Sequence, residues 1–131
     1  MTSFTWPAII TLLNLVLLIG VAVLVGRARA AHAIAAPATT GHPAFERAFR
    51  VQMNTLENSV VFLPALWLAA LYSGTTLVAL TGLAWIGARI VYAVAYARDP
   101  ARRGGAFGVS FACIVVLMVA AAIGLVRALA G

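Results

Sequence analysis

The feature that most constrains this chain is a series of apolar runs long enough to cross a lipid bilayer. The first run covers residues 6–26, contains no charged residue and is followed by Arg27. A helix of about 20 apolar residues spans the hydrocarbon core of a membrane, where its backbone hydrogen bonds are satisfied internally. The composition agrees, because 64% of the 131 residues are hydrophobic, whereas soluble domains are roughly 45–50% apolar. The sequence therefore predicts an integral membrane protein.

Breaks in the apolar pattern divide the chain into four predicted helices. Pro37 and the cluster at residues 39–43 interrupt the first connection, and residues 72–76 form a short second one. Residues 99–105, which contain proline and two glycines, form the third. The helices are expected at about 6–27, 44–73, 76–98 and 105–129. The predicted fold is all-α, a single transmembrane domain over residues 1–131 that forms a four-helix bundle.

The second predicted helix carries polar residues at a depth where the other helices are apolar. Its apolar part, residues 60–71, is too short to span alone, so the helix reaches spanning length only if Asn54 and Glu57 lie within the membrane or in a cavity at its edge. Arg50, Asn54 and Glu57 are spaced i, i+4, i+7 and share one helical face within roughly 40°. Asn58 lies beside them, whereas Gln52 points elsewhere. Polar residues at membrane depth usually face a bundle interior or a cavity, so this face is a candidate functional site.

A second polar stripe lies on the third predicted helix, where Arg89, Tyr92 and Tyr96 are spaced i, i+3, i+7. Arg29 from the first loop and Arg103 from the third, or its neighbour Arg102, belong to the same end of the bundle. Four regions of the chain therefore supply polar groups to one level.

The distribution of arginine predicts the orientation in the membrane. The chain has nine basic residues against three acidic ones, a net charge of +6. The first loop and its edges hold Arg27, Arg29, Arg47 and Arg50, and the third holds Arg98, Arg102 and Arg103. Cytoplasmic loops are enriched in positive charge, which predicts loops one and three in the cytoplasm and both termini opposite. Because the arginines are few and flank apolar runs, we expect membrane lipid or a small anion as partner, and no nucleic acid.

The polar groups suit a small ligand that carries several carboxylates and an amine. Arginine side chains bind carboxylates through paired hydrogen bonds, and Glu57 could receive the ammonium group. The apolar faces beside the site could hold a lipophilic second substrate. The alternative is structural: Glu57 pairs with Arg50 or Arg89 only to hold the helices together.

Four other residues have simpler expected roles. Asn14, the strongly polar residue of the first run, is expected to form an interhelical hydrogen bond. Cys113 lies in an apolar run and is interpreted as a packing residue. His32 and His42 have no acidic or cysteine partners at metal-ligand spacing, so both are interpreted as solvated loop residues and no metal site is predicted.

Two segments carry a resemblance to a known family. Residues 39–57 resemble the signature of MAPEG proteins, the membrane-associated proteins in eicosanoid and glutathione metabolism. Residues 88–98, followed by Arg103, are similar to the third-helix pattern of the same family. The resemblance implies a homotrimer with each site between adjacent subunits, and glutathione as cosubstrate, bound in a bent shape near the cytoplasmic ends of the helices.

The resemblance also implies roles for individual residues. Arg103 matches the arginine that stabilises the glutathione thiolate, and Arg89 resembles a position that braces the bundle. Asn58 stands where the leukotriene-forming members commonly have tyrosine, and Ala30 stands where an Arg-Arg pair would end. The glutathione-binding set comprises Arg29, Arg50, Gln52, Asn54, Glu57, Asn58, Tyr92 and Tyr96.

The predicted function is that of a glutathione transferase or peroxidase that acts on lipophilic electrophiles or lipid hydroperoxides, as in detoxification. The first alternative is a non-enzymatic, lipid-binding scaffold of the same family. The second is a small four-helix multidrug exporter. Exporters of that kind depend on an acid in their first helix, where this chain has Asn14.

Overall fold

The computed structural model describes residues 4–131, and this part of the chain contains four long helices and no strand. Each helix is long and apolar enough to cross a membrane. The chain is therefore a multi-pass integral membrane protein, and the all-α prediction is confirmed. The helices are α1 (Thr5–His32), α2 (Pro43–Tyr72), α3 (Thr75–Arg98) and α4 (Gly104–Ala130), with a short 3-10 helix at Pro100–Arg103.

Helix α1 extends one turn beyond its predicted end, so Arg29 lies on a helix rather than in the first loop. Residues 28–32 are alanine, arginine and histidine, and alanine and arginine favour helix over loop. The helix ends at Ala33, which adopts the left-handed conformation with φ 52° and donates its backbone N–H to the Arg29 carbonyl. Basic residues in the last turn also interact favourably with the helix dipole.

Two histidines join the end of α1 to the start of α2. His42 is exposed, as predicted, whereas His32 is half-buried and lies in the last turn of α1 rather than in a loop. The rings of His32 and His42 stack with centroids 3.6 Å apart. His42 Nδ1 accepts the backbone N–H of Ala44 at 3.1 Å and so caps α2. Glu46 in the first turn accepts the Gly41 N–H at 3.1 Å. The start of α2 is thereby fixed against the end of α1.

The third connection is helical where a loop was predicted. Asp99 Oδ1 accepts the N–H of Ala101 at 3.0 Å and caps the 3-10 helix. The same carboxylate forms an ion pair with Arg102 at 3.7 Å. Because α4 begins directly after the 3-10 helix, Arg103 is held at the junction of the two. The side chains of Arg102 and Arg103 therefore point in different directions.

The main core lies between the helices, and its residues on α3 extend to Ile86, one turn before Arg89. Phe62 of α2 stacks on Trp85 of α3 with ring centroids 3.8 Å apart. Gly82 allows Ile10 to approach α3 closely, and Cys113 is buried in the same cluster, as predicted. The outer faces expose many large apolar side chains, as expected of helices surrounded by lipid.

Polar side chains also meet in the middle of the bundle. The hydroxyl of Ser59 donates to Asn14 Oδ1 at 3.0 Å, which joins α1 to α2. The same hydroxyl lies 2.8 Å from the backbone carbonyl of Thr55. The predicted interhelical hydrogen bond of Asn14 is therefore confirmed, and Ser59 is its partner.

Candidate functional site

A polar cavity of about 240 Å³ opens at the end of the bundle where α2 begins and α3 ends. We call it the polar pocket. Helix α2 supplies two of its lining residues, α3 supplies one, and the end of the 3-10 helix together with the first turn of α4 supplies the other three. Its lining residues are Arg50, Asn54, Tyr92, Arg103, Gly104 and Phe107. Sequence regions more than 50 residues apart therefore meet here. They include residues from both polar stripes that were predicted on the second and third helices.

The floor of the pocket is fixed by Arg89, which is 0% exposed. Its Nη2 donates to Asn54 Oδ1 at 2.8 Å and to Thr55 Oγ1 at 2.9 Å. Its Nη1 lies 3.4 Å from Ser110 Oγ on α4, and its Cζ lies 4.1 Å from the centre of the Tyr92 ring. Arg89 thus links α3 to α2 and α4, in agreement with the bracing position implied by the resemblance.

Glu57 lies outside the lining, at what we call the rim of the pocket, and forms an ion pair with the lining residue Arg50. The Nη1 and Oε1 atoms are 3.7 Å apart, and the two side chains are 51% and 55% exposed. Both residues lie on α2, so this pair does not hold two helices together. The alternative in which Glu57 pairs with Arg89 is wrong for the described chain, because Arg89 contacts neutral groups.

Arg103 faces the pocket, whereas Arg102 does not. The Nη1 of Arg103 donates to the Tyr96 hydroxyl at 3.5 Å, and its Cζ lies 5.4 Å from the centre of that ring. Arg102 pairs with Asp99 and lines a separate groove on the outer side of α3. Of the two arginines left open by the sequence, the geometry therefore places Arg103 beside Arg50 and Asn54. Tyr96 takes part through Arg103 rather than by lining the pocket itself.

Besides Glu57 and Tyr96, three predicted site residues lie outside the lining of the pocket within the described chain. Arg29 donates to the Ala38 carbonyl at 2.7 Å and stacks over the Phe45 ring at 4.6 Å. Gln52 is half-buried on another face of α2. Asn58 Nδ2 donates to the backbone carbonyl of Asn54 at 3.3 Å, one turn back on its own helix.

Sequence reasoning missed four residues of the site. Gly104 and Phe107 line the pocket because α4 begins at Gly104, a boundary that the glycines in residues 99–105 obscured. Thr55 and Ser110 receive the Arg89 guanidinium. A signal existed for Ser110, since it is a hydroxyl residue in the apolar fourth run and polar residues at that depth need a partner.

The arrangement is suited to binding a small anion. Arg50 and Arg103 bring two basic side chains to the lining of one cavity, which Asn54 and Tyr92 also line. Guanidinium groups form charge-assisted, often bidentate, hydrogen bonds with carboxylates. A thiol placed beside such a group ionises more readily, because the positive charge stabilises the thiolate.

Comparisons with known proteins place this geometry in context. Residues 7–123 match the profile of the MAPEG family. The chain is 42% identical to the uncharacterized protein sll1147 of Synechocystis over 120 residues, which is 92% of this chain and 88% of that protein. It is 43% identical to mouse microsomal glutathione S-transferase 2, over 76% of this chain and 68% of the relative. It is 37% identical to guinea-pig leukotriene C4 synthase, over 90% and 79%.

Proposed function

The chain belongs to the MAPEG family, and on that premise we propose that it is a membrane-bound glutathione transferase or peroxidase. The observation that carries the proposal is the polar pocket, in which Arg50, Asn54 and Arg103 converge from distant parts of the chain. The names of the mouse and guinea-pig relatives describe a glutathione transferase and a leukotriene synthase. Glutathione is accordingly the proposed cosubstrate.

The groups around the pocket match the charges of glutathione. Glutathione carries two carboxylates, one ammonium group and a thiol. Arg50 is proposed to bind a carboxylate, and Glu57, 3.7 Å from Arg50 at the rim, the ammonium group. Asn54 and Tyr92, which also line the pocket, are proposed to supply neutral hydrogen-bonding groups.

Arg103 is the proposed catalytic residue. The thiolate is the reactive form of a thiol, and an ordinary thiol has a pKa of about 8.5, so most of it is protonated at neutral pH. A guanidinium group beside the sulfur stabilises the thiolate. Arg103 lines the pocket and is oriented by the hydroxyl and ring of Tyr96.

The second substrate is proposed to be lipophilic and to arrive from the bilayer. In the transferase reaction the thiolate sulfur forms a bond to an electrophilic carbon. It either displaces a leaving group, which departs with the bonding electron pair, or adds to a polarised double bond, whose other carbon then takes a proton from water. In the peroxidase reaction two molecules of glutathione reduce one hydroperoxide to an alcohol and water, and glutathione disulfide forms. Phe107 gives the pocket an apolar edge toward the outer face of α4, where such a substrate would enter.

The assembly is proposed to be a homotrimer with sites between subunits. Arg29 and Gln52 do not line the pocket of their own chain, so their predicted contacts with glutathione would be made to the site of a neighbouring subunit. The end of the bundle that carries the polar pocket is proposed to be cytoplasmic, because the arginines of the first and third connections lie there.

The test compares Arg103→Ala with Arg102→Ala in purified protein. Addition of glutathione to the wild type should produce the ultraviolet absorbance of a bound thiolate, and turnover with an aryl halide or a fatty-acid hydroperoxide. Arg103→Ala should abolish both signals. Arg102→Ala removes the same charge from the neighbouring position, which pairs with Asp99, and should retain both.

Two results would contradict the proposal. Unchanged absorbance and turnover in both variants would show that neither arginine stabilises a thiolate. The second result is the absence of glutathione binding when the wild type is titrated calorimetrically in detergent. That result would favour the lipid-binding scaffold over an enzyme.

A further inference from the structure

Arg89 is a buried cation without an acidic partner in the described part of the chain. Its side chain is 0% exposed, and the ion pairs formed by residues 4–131 join Arg50 to Glu57 and Arg102 to Asp99. Its partners Asn54, Thr55 and Ser110 are neutral. A buried charge is costly unless it is both hydrogen-bonded and compensated by an opposite charge. The hydrogen bonds of Nη1 and Nη2 meet the first condition in part, since the buried Nε has no partner among the described residues, and the second condition is unmet.

The guanidinium group also determines which atoms the pocket presents to a ligand. Arginine has only donors, so the Asn54 atom 2.8 Å from Nη2 must be the amide oxygen. The amide nitrogen of Asn54 therefore remains as a donor for the pocket that Asn54 lines. Tyr92, a second lining residue, has its ring held 4.1 Å from the Arg89 Cζ. Arg89 thus fixes two lining residues although it does not line the pocket itself.

We propose that Arg89 is a positioning residue of the polar pocket, which turns Asn54 into a hydrogen-bond donor and draws an anionic ligand that supplies the missing counter-charge. The ligand class is a carboxylate or thiolate anion. Its identity as glutathione rests on the proposed function, whereas the uncompensated charge does not.

The first test needs no ligand. Asn54→Asp places a carboxylate beside the Arg89 guanidinium at almost unchanged volume, and we expect a higher unfolding temperature in detergent. The matched control is Asn58→Asp, which adds the same charge one turn away on α2, where the wild-type amide bonds to the Asn54 carbonyl instead. This control should not raise the unfolding temperature. An Asn54→Asp variant that is no more stable than the wild type would overturn the proposal.

The second test separates the charge of Arg89 from its packing. Arg89→Gln removes the charge but keeps an amide donor, whereas Arg89→Lys keeps the charge on a flexible side chain. A nearby positive charge shifts the pKa of an ionisable group by about one unit or more, which corresponds to a tenfold change in an equilibrium constant. The Kd of glutathione should therefore rise on the order of tenfold in Arg89→Gln and by less in Arg89→Lys. The pH at which bound glutathione ionises should rise in Arg89→Gln by about one unit. Arg98→Gln, the same change at an exposed position of α3, should leave both quantities unchanged.

The outcomes distinguish this inference from the proposed function. Wild-type protein that binds no glutathione would refute the proposed function, and the comparison of Asn54→Asp with Asn58→Asp would still decide the role of Arg89. Wild-type protein that binds glutathione, together with equal Kd values in wild type and Arg89→Gln, would overturn the inference and leave the function standing. Equal losses in Arg89→Gln and Arg89→Lys would also overturn it, because packing alone would then explain the effect.

Discussion

Glu57→Gln decides whether the carboxylate at the rim binds a ligand or stabilises the helix. In the structure Glu57 contacts Arg50, seven residues earlier on α2, at 3.7 Å. Both side chains are about half exposed, at 51% and 55%. Glutamine preserves the size and hydrogen-bonding capacity of the side chain and removes only its charge. The substitution therefore isolates the electrostatic contribution of Glu57.

The structural contribution of this charge should be small. Exposed ion pairs contribute about 0–1 kcal/mol, because water screens the charges and long side chains lose freedom on pairing. We therefore expect Glu57→Gln to change the free energy of unfolding by less than about 1 kcal/mol. A charge-assisted hydrogen bond to the ammonium group of a ligand contributes about 1.5–3 kcal/mol, so the affinity for glutathione should fall roughly 10- to 150-fold.

The measurement is a two-by-two comparison of protein and ligand. Wild type and Glu57→Gln are titrated calorimetrically with glutathione and with N-acetylglutathione, which lacks the ammonium group. The substitution should weaken glutathione strongly and the acetylated ligand little. Glu46→Gln is the control, since Glu46 is an acid of the same helix whose carboxylate accepts the Gly41 N–H instead. Equal weakening of both ligands, or a loss of stability greater than the loss of binding, would refute the proposed role of Glu57.

Two further substitutions test the packing and the orientation of the site. Gly124→Ala should destabilise the bundle by about 1–3 kcal/mol, because the Tyr72 backbone carbonyl occupies the space of the added methyl group. Gly20→Ala is the control and should be nearly neutral in the same thermal unfolding assay, since the described residues leave open space around Gly20. Tyr96→Phe should reduce the thiolate absorbance only partly, since it removes the 3.5 Å hydroxyl contact to Arg103 and keeps the ring at 5.4 Å; complete loss of absorbance would show that the hydroxyl has a larger role.

The number and limits of the helices could be predicted because bilayer thickness fixes the length of an apolar run. Residues 6–26 have no other reasonable structure, and α1 and α3 were located within a few residues except at the end of α1. The extra turn that includes Arg29 was missed because loop signals begin only near Pro37, and alanine-rich residues 28–32 continue the helix by propensity.

The contents of the site were harder to predict than its location. Helical spacing brought Arg50, Asn54 and Glu57 to one face, but it could not show that the Asn54 carbonyl oxygen is occupied by Arg89. It also could not show whether Glu57 pairs within α2 or between helices. These side-chain contacts depend on the rotation of each helix about its own axis and on the angles at which the helices cross. The periodicity of the sequence leaves these angles uncertain by tens of degrees.

The depth of each charge explains how a membrane-spanning helix can also carry a polar site. Arg50 and Glu57, in the first half of α2, are half exposed, whereas Arg89 is fully buried and its Nη2 atom donates to Asn54 and Thr55. Phe107, 39% exposed, lines the same pocket from α4. The pocket therefore has a charged side, which suits a water-soluble thiol, and a partly exposed apolar edge at Phe107. A site that joins glutathione to a lipophilic substrate needs both sides within one cavity, and neither a buried core nor an exposed loop provides them together.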